Sequence, residues 1–270
     1  MNLTKKILAS SILITATAFS NQVSAFSIGG INVGSVGAVS LQDASAETVV
    51  TTVGDTLYGI GQITKINGVG GFSNTLELDF IYSAKVSFDS GTTIIFDTGS
   101  LTFFTNTIGF YDSQIVMAGN TMALAQTAIA SGTDWLDLAA QTVTTLAPYN
   151  VFGAPSTGAF FGSGTDLAGS VPNGSGVGYF DVITSGSGIA NAFFDTNALL
   201  FNGITPYDFL FTSTFHFEST SPKWGPIQDA STFKGVTKNV DEPDTLALLG
   251  LGLLATALLS RRRQPDLKLI

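Results

Sequence analysis

The sequence predicts an all-β body with a sandwich or jelly-roll-like arrangement over residues 26–240, set between an N-terminal signal peptide and a C-terminal hydrophobic anchor helix. Three observations predict it. Apolar and polar residues alternate with period two in several stretches, glycine-bearing turn dipeptides separate them, and hydrophobic residues make up 44% of the chain, ample for a core.

Residues 1–25 read as a secretory signal. Lys5 and Lys6 supply the charged start, Ile7–Phe19 the apolar stretch and Val23-Ser24-Ala25 the small-residue cleavage pattern, so cleavage is expected after Ala25 and the Sec translocon is the expected route. The apolar run is too short, and wrongly flanked, for a lone membrane-spanning helix.

Within the body, Leu76, Leu78, Phe80 and Tyr82 point one way in Thr75–Ser83 while Glu77 and Asp79 point the other, giving one core face and one wet face. Thr56–Ile66 leads into Asn67-Gly68, a hairpin signal that Asn173-Gly174 and Asn202-Gly203 repeat. Met117–Ala130 is alanine-rich and suits a short helix. Trp135–Leu146 fits either period, and its threonines tip it toward strand. Gly153–Gly188 holds ten glycines and six serines and reads as long flexible loops around short strands, among them GYFDVI.

Charge and composition exclude several function classes. Between residues 26 and 242 there are five lysines, no arginine and 18 acidic side chains, a balance that leaves no basic surface for nucleic acid. Divalent cations and neutral glycans fit it better. The absence of cysteine removes disulfides, thiol nucleophiles and thiolate metal sites together. His216, the one histidine, falls on the polar face of a strand in which Phe211, Phe215 and Phe217 alternate with Thr212, Thr214 and Glu218, so neither a triad nor a zinc site is expected.

The stretch TIIFDTGSLTFF at 93–104 carries Asp97-Thr98-Gly99-Ser100, which resembles the active-site signature of the pepsin-like aspartic proteases. That chemistry needs a second carboxylate sharing one proton with the first, and Asp195-Thr196-Asn197 is the candidate. The second loop lacks the glycine, however, and Phe88-Asp89-Ser90-Gly91 repeats the first motif eight residues earlier. That is the spacing of a strand plus a turn. Hairpin turns at both tetrapeptides are therefore expected, flanking strands at Thr92–Phe96 and Leu101–Asn106, and a secreted hydrolase using Asp97 and Asp195 is the less favoured alternative.

No catalytic residue and no cofactor is expected. Asp134 and Asp137 in SGTDWLDL are the carboxylates nearest to a calcium site, without EF-hand spacing. Trp135 and Trp224, with Tyr149, Tyr179 and Tyr207, are the side chains suited to stacking on sugar rings, should the body act as a lectin-like glycan-binding module.

At the C-terminus, Asp241-Glu242-Pro243-Asp244-Thr245 precedes an apolar run from Leu246 to Leu259 and the cluster Arg261-Arg262-Arg263. Residues 241–263 resemble the PEP-CTERM sorting signal of exopolysaccharide-producing Gram-negative bacteria, with residues 264–270 as a short tail. Asp241 stands where that signal usually has a first proline. Fourteen apolar residues at about 1.5 Å each give roughly 21 Å, a short anchor for a hydrocarbon core of about 30 Å. The arginines would hold their end in the cytoplasm. The resemblance implies processing by an exosortase near Glu242-Pro243, transient inner-membrane anchoring and a secreted or cell-surface destination; a simple membrane anchor is the plainer reading.

The body resembles the flocculation-associated PEP-CTERM proteins in GDTLYGIGQITKING at 54–68, GTDWLDL at 132–138, AFFDTNALLF at 192–201 and DFLFTSTFHFE at 208–218. This resemblance implies a non-enzymatic surface or extracellular-matrix protein that, with exopolysaccharide, helps cells aggregate into flocs or biofilm.

Overall fold

The computed structural model describes residues 26–115, 121–145, 149–167, 171–218 and 225–238. The cleavage residue Ala25, the sorting residues Glu242, Pro243, Arg261, Arg262 and Arg263, the anchor helix and Trp224 lie outside the described residues. The chain divides into two compact units after Lys238, and the second also lies outside them.

Strand exceeds helix by 57% to 8%, so the all-β expectation holds. The strands are β1 (Phe26–Ile28), β2 (Ile31–Gly34), β3 (Ala38–Glu47), β4 (Thr56–Ile66), β5 (Leu76–Asp89), β6 (Thr93–Thr107), β7 (Thr133–Ala140), β8 (Val143–Thr144), β9 (Thr157–Gly158), β10 (Phe160–Thr165), β11 (Asn173–Val182), β12 (Leu199–Phe201), β13 (Thr205–Tyr207), β14 (Phe209–Phe217) and β15 (Ile227–Val236). Two helices, α1 (Met122–Ile129) and α2 (Asn191–Phe194), and a π-helical turn at Tyr111–Ile115 interrupt them.

The main sheet closes on itself. β3, β4, β5 and β6 pair in chain order, β11, β14 and β15 do the same, and β15 returns to β3. The gap between β6 and β11 is filled by β7 and β10 laid end to end. β7 covers Ser100–Thr105 of β6 and Phe180–Val182 of β11, whereas β10 covers Thr93–Phe96 and Asn173–Gly178. Gln141 N donates to Tyr179 O and Ala159 N to Phe96 O, both at 2.7 Å, so the ladder runs up to the break on both sides. Residues 142–158 loop out of what is otherwise one stave, and the barrel has eight positions. The two layers expected of a sandwich are here opposite walls of one closed sheet, and meander order takes the place of a jelly roll's Greek-key connection.

Alternation sends Leu76, Leu78, Phe80 and Tyr82 of β5 into the barrel, as predicted, with Phe209, Phe211, Ser213 and Phe215 of β14. Glycines make room for the rings. Gly59 faces Tyr82, Gly61 faces Phe80, Gly178 faces Phe160 and Gly235 faces Phe209 across neighbouring strands, and a Cβ at any of the four would lie between 2.0 and 2.6 Å from the ring opposite. The glycines of 153–188, expected in loops, belong in good part to β10 and β11 for this reason. One end of the barrel is plugged by the β1–β2 hairpin, whose Ile28, Ile31 and Val33 are buried, and by Phe194 of α2.

The outer face is wet only in places. Ile60 and Phe104 pack outward under α1, and the same segment covers Glu77 and Asp79, which are buried rather than solvated as expected. Gly109 N donates to Glu77 Oε2 at 2.7 Å and Asn106 Nδ2 to Asp79 Oδ2 at 2.9 Å. A second outer cluster joins Ile95, Phe161 and Tyr179 to Phe201 and Tyr207 of the β12–β13 hairpin.

The turn signals divide. Asn67-Gly68 and Asn202-Gly203 adopt paired positive φ angles, 52° with 79° and 50° with 71°, as tight hairpin turns require. Asn173-Gly174 instead opens β11 as ordinary strand. Asp89 caps its turn by accepting from Gly91 N at 2.8 Å, but Asp97-Thr98-Gly99 is no turn: β6 continues through it, with a register shift against β5 that leaves Asp97 unpaired in the ladder. The two strands expected at 92–96 and 101–106 are one.

Candidate functional site

Away from the plugged end, the barrel interior turns acidic. Gln42-Asp43-Ala44-Ser45 in β3 and Gln228-Asp229-Ala230-Ser231 in β15 are the same tetrapeptide on paired antiparallel strands, with Asp229 opposite Ser45. Period two places Asp and Ser of both copies inward and leaves Ala outward. Ser231 N and Oγ donate to Asp43 Oδ1 and Oδ2, each at 2.6 Å, which fully engages that carboxylate. Asp229 fares differently. It shares a hydrogen bond with Glu47, and its Oδ1 is buried with no partner. The hydroxyl of Tyr82 on β5 donates to Glu47 Oε1.

Three carboxyls held this way, with no basic neighbour among the described residues, resist ionisation. Burial pushes Asp43 up to about 6 against the pull of its Ser231 bonds. Burial likewise pushes Glu47 up to about 7, although Tyr82 and Asp229 pull it down. Asp229 stands well above the usual carboxylate range, first through burial and then through the charges of Glu47 and Asp43. The same burial and charges raise the Tyr82 phenol.

Beside this cluster lies a cavity of about 80 Å³. Its walls are mostly apolar, with Phe96, Phe160, Phe211, Phe215 and Phe233 prominent, and Glu47 and Tyr82 supply polar atoms. Gly162 and Gly176 line it at inward positions on β10 and β11, where a Cβ would stand 2.7 Å from Ile94 Cγ2 and 2.8 Å from Ser213 Oγ. Asp229 shares the inner face of β15 with Ile227 and sits directly opposite Phe215, and both of those residues line the cavity.

The residues singled out from the sequence lie elsewhere. Trp135 is fully buried: it occupies the bulge where β7 meets Phe103 and Phe104, packs edge-on against Phe103 and Phe194, and donates Nε1 to Ile28 O at 3.0 Å. It closes the plugged end and presents no face to a sugar. Tyr179 and Tyr207 are buried against each other, with ring centroids 5.1 Å apart, and Tyr149 packs on Phe161. His216 is exposed on the outer face of β14.

Asp97 is exposed in mid-strand, where its Oδ1 accepts from the adjacent Thr98 hydroxyl at 3.3 Å. Asp195 caps α2 and lies 3.7 Å from Lys238 Nζ. Thr196 N and Asn197 N donate to the buried Asp208 at 2.8 and 2.6 Å. Among the described residues no hydrogen bond links Asp97 to Asp195, so the shared proton of a protease dyad has no geometry here. Asp97→Asn is expected to change stability by less than about 0.5 kcal/mol, as for other exposed surface sites, read from the denaturant midpoint.

Asp134 and Asp137 pin the loop that follows β11. Asp137 Oδ2 accepts from Gly188 N at 3.0 Å and from Asn191 Nδ2 at 3.3 Å, while Asp134 accepts from Ser187. Among the described residues no group of three His, Cys, Asp or Glu side chains is placed to hold a metal ion.

The interior carboxyls were missed from the sequence. Their signal was the repeated Gln-Asp-Ala-Ser, in which the residues that alternate with small alanines are polar and the burial sense is inverted.

Residues 242–263 match the family model of the PEP-CTERM protein-sorting motif. No curated protein and no solved structure matched the chain. The motif implies export by an exosortase-type system and a place at the cell surface of a Gram-negative bacterium.

Proposed function

We propose that this protein is a non-enzymatic component of the cell surface or extracellular matrix that associates with exopolysaccharide and promotes cell aggregation. The sorting motif at 242–263 carries the reading. It is supported by the similarity of the body to flocculation-associated PEP-CTERM proteins at 54–68, 132–138, 192–201 and 208–218, which are now seen as barrel staves and the loops that pin them. In this reading the exosortase acts near Glu242-Pro243 and frees the body from a transient membrane anchor. The acidic body, with five lysines against 18 acidic side chains, then meets matrix polysaccharide directly or through divalent cations.

Deleting residues 243–263 tests this. The truncated protein is expected to be lost from the culture matrix, and the cells to floc poorly. Normal delivery together with normal flocculation would overturn the reading.

A further inference from the structure

We propose that the barrel cavity binds a small apolar amine, its ammonium group set against Glu47 and Asp229 and its hydrocarbon part among the phenylalanine rings. Space is the first argument. An eight-stave barrel is just wide enough for its own side chains to fill or for one small ligand, and here two of the inward positions lining the space, Gly162 and Gly176, contribute no side chain to fill it. The resulting cavity of about 80 Å³ far exceeds the ~10–15 Å³ that one water needs.

Polarity selects among ligands. A pure hydrocarbon would leave Asp229 Oδ1, already buried without a partner, still unmet, and buried acceptors of this kind are costly. An anion would face Asp43, Glu47 and Asp229 together. Water in so apolar a chamber finds few of the two to four partners it requires. An ammonium offers three donors and a positive charge, and the aromatic walls favour a cation further. Among the described residues no lysine supplies such a charge: Lys65, Lys85 and Lys234 are exposed, and Lys238 pairs with Asp195. The volume restricts the hydrocarbon part to a few carbons.

The proposal is independent of the sorting reading and is tested on the purified full chain. At pH 7.5, n-butylamine, n-butanol and butyrate are titrated by calorimetry and by shift of the thermal midpoint. Saturable binding of n-butylamine is expected, at least about tenfold tighter than n-butanol, with no binding of butyrate. Asp229→Asn and Glu47→Gln should each weaken n-butylamine by about tenfold or more while the variants remain folded by circular dichroism. No saturable binding of n-butylamine, equal affinity for n-butanol, binding of butyrate, or unchanged n-butylamine affinity in folded Asp229→Asn would each overturn the proposal. Should a variant fail to fold, the three ligands on the native chain decide it.

Discussion

Raising the pH from 5 to 8 is expected to destabilise this protein, most steeply between pH 6 and 8, in contrast to the common case of salt-bridged carboxylates. The sign follows from linkage. Asp43, Glu47 and Asp181 have folded-state values of about 6, 7 and 6, Asp79 about 8, and all lie above their unfolded values. Burial is the largest cause in each. Between the unfolded and folded values the native state therefore holds more protons, so the stabilisation is complete below about pH 4 and is lost as pH climbs through the folded values. Glu47 alone, moved from 4.5 to about 7, accounts for roughly 3 kcal/mol. Several such groups together rival the ~5–15 kcal/mol by which domains are usually stable, so loss of cooperative structure is expected before pH 9. Urea midpoints across the range measure it. Glu47→Gln keeps an acceptor for Tyr82 but cannot ionise, and should flatten the curve, being near neutral at pH 5 and stabilising by about 2–3 kcal/mol at pH 8. A midpoint that rises with pH would refute this account.

Gly61→Val is expected to cost at least about 3 kcal/mol, the upper end of what overpacking a core usually costs. The first added carbon would already stand 2.3 Å from Phe80 Cζ and 2.8 Å from Ser45 Cβ. Phe80 cannot swing clear, since Phe103 and Phe233 hold it with centroids 5.5 and 5.6 Å away. Phe80→Ala alone should cost about 3–5 kcal/mol through the cavity it leaves. The double variant should be less damaged than the sum of the two by about 2 kcal/mol, because valine then occupies part of the vacated space. Chemical denaturation of the four proteins closes the cycle, and strict additivity would show that ring and glycine are not in contact.

The legibility of this fold from sequence depended on whether the inner and outer faces differed in polarity. β5 and β14 announced themselves because leucine and phenylalanine alternate with polar residues. β3 and β15 did not, because Asp43, Glu47 and Asp229 occupy core positions. Gly162, Gly174, Gly176 and Gly178 looked like loop residues, since nothing local distinguishes a glycine that bends the chain from one that yields to atoms of a neighbouring strand. Asp97-Thr98-Gly99 failed as a turn for a related reason: it lies where the partner of β6 changes from β10 to β7, and Gly99 gives way to Phe160, whose ring would lie 2.7 Å from a Cβ there. Closure itself depends on pairings between residues nearly 200 positions apart, such as Val39 with Gly235, and no local pattern reports those.

Because the first stave finds its partner only in the last, every nascent chain shorter than residue 236 carries two unsatisfied strand margins. Such margins invite pairing with other copies of the chain, and this hazard persists until synthesis has all but reached the residues that address the protein for export.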